Sequence, residues 1–433
     1  MEAFFESRPA LRPLARRDFR LLLAGSTLVS LAMPFQFLTQ VFWVQREYPA
    51  EAVLYASLLS ASRGVAMVLF SLIGGAIADR FERRRVLLVT ESGSLAANAV
   101  IAALMVFAPF GSATVAAVAV FTFLAAGVMS FDSPARSASL PAVAGVKDIG
   151  AAIGLMTVSS QLMMPLSLPL VGILNGIFDP GSVYAGSLIV WAGILPLIAM
   201  LRYHSVGGGQ NAGMLTNVRA GLAYSRRMRA IMAVLSIVLI VQLLGMPVAT
   251  PLGPMFMIDV LKFSTQQVGF MGATWGIGAF AASIAFTRLR GLTLHGATLA
   301  GLSILFGFAV MGFGYSRYVP LTAVFDFGMG FGFTATLLTA STLVQHMVDD
   351  TMRGRVMSLF PFATGLAYVC TAAIGGIGQQ VGLAVLVPGL GWATVLACLL
   401  VIAWNRQLLR ARIRPPVATP ALGDVPGGTS PAS

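Results

Sequence analysis

The chain has 433 residues, of which 57% are hydrophobic and only 10% charged, whereas a soluble domain carries about a quarter charged residues. That balance excludes a water-soluble fold, which needs a polar exterior, and makes lipid the outer solvent. The net charge of +12 does not point to a nucleic-acid partner, because the basic residues are scattered between apolar segments with no stripe beside stacking aromatics.

Arg8, Arg12, Arg16, Arg17 and Arg20 precede or open the first apolar run, a start that imitates a signal peptide. The run over 21–44 is too long for one and has no small-residue cleavage site, so it predicts a retained membrane helix. A spanning helix takes roughly 20 apolar residues. By that measure the apolar runs predict twelve spans, at 19–44, 52–78, 86–108, 112–132, 149–177, 182–201, 230–258, 266–287, 294–315, 319–341, 357–380 and 383–405. The expected fold class is an all-α membrane protein.

Every Lys and Arg except Arg46, Arg63, Lys262 and Arg317 falls in a segment on the same side as the N-terminus. By the positive-inside rule both termini are expected in the cytoplasm, with the protein in the inner membrane. An odd number of spans would scramble that alternation.

Residues 202–229 form the longest internal connection, from Gly207-Gly208-Gly209 to a basic end with Arg226, Arg227 and Arg229. They are expected to be a cytoplasmic linker with an amphipathic piece on the anionic leaflet. The linker divides a six-helix bundle at 1–201 from a second at 230–405, and the tail 406–433 ends in a Pro-, Gly- and Ala-rich stretch expected to be disordered. The halves echo each other. Met33-Pro34 in the first span recurs as Met246-Pro247 in the seventh, and the same offset carries the Arg136 segment onto 349–355. Parallel repeats with a site between them describe a rocking transporter.

Cys370 and Cys398 lie in apolar runs and read as small packing residues. With His204, His295 and His346 far apart in sequence, no metal site is expected. No nucleotide-binding loop or catalytic triad motif is present either, so the reading is of a protein without a cofactor, not an enzyme.

Between the second and third spans stands Gly74-Gly75-Ala76-Ile77-Ala78-Asp79-Arg80-Phe81-Glu82-Arg83-Arg84-Arg85. An acid among arginines in a tight turn can hold one conformation closed, and small residues let a neighbouring helix approach. This stretch resembles the signature of the major facilitator superfamily, with Gly75, Asp79, Arg80, Arg83 and Arg84 in the matching positions. The opening Leu14-Ala15-Arg16-Arg17-Asp18-Phe19-Arg20, the stretch Ser133-Pro134-Ala135-Arg136 and the stretch Arg353-Gly354-Arg355-Val356 resemble the subgroup of bacterial drug exporters and the enterobactin exporter.

The resemblance implies two pseudo-symmetric six-helix bundles in a single chain, rocking about a central cavity. It also implies a conformational gate in which Asp79 meets the start of the eleventh helix near Arg353 and Arg355, where the helix dipole favours an anion. The sequence departs from the subgroup at Ala32-Met33, where an acid is common, and at Thr287-Arg288, where the second-half copy of the signature lacks its Asp.

An ionisable residue inside a span needs a reason, since its insertion costs roughly 2.5–3.5 kcal/mol at mid-helix. Asp326 in the tenth span is the candidate for binding a cation or carrying a proton. Arg63 in the second is expected to attract an anionic group of the substrate or to neutralise a carboxylate across the cavity. Glu91 in the third either serves the cavity or pairs with Arg85 or its neighbours. Gln36 and Gln40 share a helix face, and with Gln161 and Gln242 they either line a polar cavity or bond between helices. Pro34, Pro165, Pro169, Pro247, Pro251 and Pro254 predict kinks in the first, fifth and seventh helices. Export of a small, partly apolar solute against inward proton flow is the expected function. The alternative is uptake, or lipid flipping, by the same fold.

Overall fold

The computed structural model describes residues 10–78, 82–202, 214–288, 296–406 and 409. Twelve helical stretches are long and apolar enough to cross a bilayer. The first three spans are α1 Arg17–Glu47, α2 Ala52–Ala78 and α3 Arg83–Phe107. The fourth consists of α4 Ala113–Met129 and α5 Asp132–Ala144, and α6 Ile149–Ile177 and α7 Pro180–Ala199 complete the first half. A connecting helix, α8 Met214–Arg227, leads to the seventh span, built from α9 Arg229–Pro247 and α10 Gly253–Asp259. Then come α11 Thr265–Arg288, α12 Gly296–Tyr315 and α13 Val319–Met347. The eleventh span joins α14 Asp350–Met357 to α15 Leu359–Val381, and α16 Leu383–Trp404 is the last.

In lipid a backbone must satisfy its own hydrogen bonds, which is why apolar runs of this length become helices. Local chemistry sets their ends. Asp179 caps α7 by accepting from the backbone N–H groups of Gly181 and Ser182 at 2.9 and 3.3 Å, with Pro180 in the first turn where no N–H is needed. Gly145 and Gly382 turn the chain between α5 and α6 and between α15 and α16 at φ of 84° and 83°, a region that side chains disfavour. Of the three helices expected to kink at proline only the seventh span breaks. A π turn over Val248–Leu252 follows Pro247, whereas α1 and α6 run through Pro34, Pro165 and Pro169.

Within the first half α1 packs on α6 and α7, and α3 packs on α4 and α7. In the second half α12 packs on α13 and α16, and α9 on α15. The halves meet along two seams, α2 against α15 and α6 against α11. Small residues make both seams possible. A Cβ on Gly64 would stand 2.5 Å from the Tyr368 Cβ, and one on Gly172 would stand 2.8 Å from the Cα of Gly269.

The helices alternate in direction, so Arg17, Arg83 and Trp404 share one side of the molecule, the terminal side, and the turns after α1 and α15 share the far side. One continuous apolar core joins the far part of the first half, including Leu38, Trp43 and Val171, to the second half. On the terminal side the first half closes on a separate cluster that includes Phe19, Leu87 and Trp191. Polar contacts reinforce the far-side closure. Gln45 donates to Asp259 across the halves at 2.7 Å, and Gln379 donates to the Ala50 carbonyl at 2.6 Å.

Two expectations change. The fourth span does not end at 132 but continues through α5, so Ser133 to Pro141 are helical and not a loop. The amphipathic linker helix also spends part of its surface on protein. Tyr224 donates to Asp349 at 2.9 Å, and Gly221 lies so close to the Arg355 carbonyl that a Cβ would stand 2.4 Å from it.

Candidate functional site

The cavity between the halves is lined by Phe37 of α1, Met164 of α6, Pro254 of α10, Trp275 of α11, and Met329 and Asp326 of α13. Its volume is about 40 Å³, room for a few waters in this closed arrangement and far less than a drug-sized ligand needs. Asp326 is the ionisable group on a wall otherwise apolar, and it is 3% exposed. The α13 backbone comes close to α11 here because Gly330 lies against the Trp275 carbonyl.

Thr274 on α11 approaches the Asp326 carboxyl oxygen Oδ2 at 2.6 Å and the Met271 carbonyl at 2.7 Å. A hydroxyl has one proton to donate and a carbonyl can only accept. Both contacts are therefore made at once only when Asp326 donates to Thr274. When Asp326 is ionised, the hydroxyl turns to it and leaves Met271. A proton on Asp326 is thus linked to a hydrogen bond inside the neighbouring helix.

A second polar region lies inside the first half. Gln40 is 3% exposed and donates to Thr122 at 3.1 Å, while its carbonyl oxygen faces the Arg63 guanidinium at 3.4 Å. Tyr184 donates to Asn98 at 2.6 Å, and Asn98 in turn donates to Ser94. The other glutamines serve helix contacts. Gln161 donates to Ser283 across the α6–α11 seam at 3.3 Å, and Gln242 donates to Thr364 within the second half at 2.6 Å. Gln36 is buried with its amide nitrogen lacking a partner.

Glu91 does not pair with Arg85, whose guanidinium instead meets Glu82 at 2.9 Å. It meets Arg136 of α5, which also bonds Asp132 at 2.5 Å one helical turn earlier. All three side chains are nearly inaccessible, and Arg136 further donates to Ser26 of α1 at 3.1 Å. One guanidinium faces two carboxyls, and Glu91 Oε2 and Asp132 Oδ1 have no partner. Sequence reasoning missed this pair because the span was ended at Asp132 and the segment with Arg136 read as a loop. The available signal was the i, i+4 spacing of Asp132 and Arg136 across Ser133-Pro134, a helix start.

Of the expected gate, Gly75 lies in α2, and Asp79 and Arg80 fall outside the described residues. Arg83 and Arg84 donate to the Ala138 and Ala199 carbonyls, tying α3 to α5 and to the end of α7 within the first half. Arg353 pairs with Asp350 and donates to the Gln345 carbonyl at 3.0 Å, and Arg355 approaches the Met352 sulfur.

The model of a family described as transmembrane secretion effectors matches residues 8–415, nearly the whole chain. The chain belongs to that family of major facilitator transporters. Solved transporters share its fold. A peptide transporter crystallised with sulfate superposes with a TM-score of 0.72 at 13% identity, covering 92% of this chain and 96% of its own. The nucleoside transporter NupG gives 0.72 at 12%, covering 89% and 99%, and a D-xylose–proton symporter 0.64 at 14%, covering 93% and 97%. No curated protein sequence matches. The major facilitator fold explains why Asp326 and the α6–α11 seam come together. In a two-bundle transporter the surface between the halves is where a solute can be enclosed. The protein is a membrane transporter and not an enzyme.

Proposed function

We propose that this transporter exports a small, partly apolar molecule by alternating access, and that inward proton flow through Asp326 drives it. The observation that carries this reading is the single carboxyl in an apolar cavity between the two halves, with its Thr274 partner free to switch between Asp326 and Met271. Aromatic and Met side chains suit an apolar solute of variable shape. The far side is latched by Gln45–Asp259 and Gln379–Ala50, while the terminal side of the first half keeps its own core. That is the form expected before a cytoplasmic solute enters, if the termini are cytoplasmic as the basic residues predict. The description of the family as secretion effectors supports the outward direction. Asp79 with Arg353 and Arg355 serves in this reading as the lock of the opposite state, the protein sits in the inner membrane, and one chain is sufficient.

Comparing metabolites in cells and medium after deletion and overexpression tests the direction. A compound retained by the deletion strain and enriched outside on overexpression supports export and names the substrate. A compound left in the medium by the deletion strain makes the protein an importer. For the coupling, Asp326→Asn keeps a donor for Thr274 but cannot exchange a proton. It should fold, bind solute and lose pH-driven flux. Flux at the wild-type rate would remove Asp326 from the mechanism.

A further inference from the structure

Two arginines of the first half, Arg63 and Arg136, have opposite surroundings. Arg136 is enclosed and faces two carboxyls. Arg63, midway along α2, makes no ion pair among the described residues. Its hydrogen bond among the described residues is the contact to Gln40 at 3.4 Å, long for a guanidinium, which has five N–H donors. Its remaining nitrogens are not among the buried, unpartnered polar atoms. Among the described residues no carboxylate meets Arg63, so the reading left is attraction of an anionic group of the substrate.

Gln40 is held on both sides, its oxygen by Arg63 and its nitrogen on Thr122, and so fixes the direction of the guanidinium. Tyr368 belongs to α15, and the neighbouring Gly64 brings its backbone close. The place thus holds a positive charge that no carboxylate meets among the described residues, next to the contact between one helix of each half. A charge kept without a partner inside a membrane protein calls for an external counter-charge, and the planar guanidinium fork matches a carboxylate.

We propose that Arg63, positioned by Gln40 next to the contact between α2 and α15, binds the carboxylate of the transported molecule, which makes the substrate class partly apolar organic acids. This deepens the transporter reading and rests on it. Because Gly64, next to Arg63, lies against the α15 backbone, a carboxylate held by Arg63 is released when the α2–α15 seam opens.

The test uses the full-length transporter in phosphatidylcholine nanodiscs and calorimetric titration with naphthoate and with its neutral isostere naphthamide. The wild type should bind naphthoate about tenfold more tightly than naphthamide, with a dissociation constant at or below ~1 mM. Arg63→Gln should erase that preference, and Arg63→Lys should restore part of it. The wild-type comparison of acid and amide needs no variant, so a misfolded Arg63→Gln protein does not rescue the idea. Absence of the acid preference in wild type, absence of naphthoate binding, or its persistence in Arg63→Gln overturns the assignment. Displacement of naphthoate by added phosphatidylglycerol also overturns it, because the occupant is then a lipid headgroup. The transporter reading fails separately. Acid binding with no change in cellular export sinks export alone, and export unaltered by Arg63→Gln sinks the carboxylate site alone.

Discussion

Replacing Arg136 by Met retains most of the side-chain volume and removes the charge, leaving Glu91 and Asp132 enclosed together at 1% and 3% exposure. Removing one partner of a buried ion pair costs about 3–5 kcal/mol, because the remaining charge has neither water nor a counter-ion. The effect should lie in the upper part of that range, since two carboxyls lose the same partner and the bond to Ser26 goes with it. Removing Glu91's charge is a different matter. In Glu91→Gln the guanidinium still has Asp132, one charge against one, and an oxygen that lacked a partner becomes an amide. That substitution should change stability by no more than about 1 kcal/mol, of either sign. The two changes share a partner, so their effects should not add in the double variant. Thermal unfolding of the detergent-solubilised proteins, followed by size-exclusion chromatography, ranks them. The expected order is wild type and Glu91→Gln together, with Arg136→Met far below. If Glu91→Gln falls as far as Arg136→Met, the second carboxyl is not surplus and the charge argument is wrong.

Two further outcomes follow from the seams. In Gly172→Val even the first side-chain atom meets the Thr265 carbonyl at 2.6 Å and the Gly269 Cα at 2.8 Å. These are backbone atoms that cannot step aside, so the α6–α11 seam should part, with transport lost while the protein stays in the membrane. Flux near the wild-type level would show that the seam tolerates separation. Gln45→Ala removes the link to Asp259 and should raise labelling of a cysteine placed at Ala249 by a membrane-impermeant thiol reagent added from the far side. Unchanged labelling would mean that apolar packing alone keeps that side shut.

Much of the fold was legible because the bilayer imposes a simple rule. A run of apolar residues long enough to cross must become a helix, and the alternation of basic segments follows the alternation of sides. The twelve spans needed no more than that, and Asp326 stood out as a carboxyl with no business in lipid. The end of the fourth span was hidden for the same reason. The rule reads polar residues as loop, so the span was ended at Asp132 and Arg136 fell outside it although both lie on a helix. Their charges are hidden by α1 and α3, which come from distant parts of the sequence.

Composition and apolar run lengths therefore determined the class of protein and the number of candidate crossings, since these depend only on how each segment partitions between water and lipid. The tertiary structure decided which polar groups are satisfied. Arg136 and Arg63 are the same residue type in the same half of the chain, yet among the described residues one is matched by two carboxyls and the other by none. Glu91 meets Arg136 and not Arg85, which is nearer in sequence, and Gln40, Gln161 and Gln242 bond between helices. No local pattern encodes those outcomes, because a hydrogen bond inside a membrane protein depends on which helices are neighbours, and packing of small residues at the seams settles that.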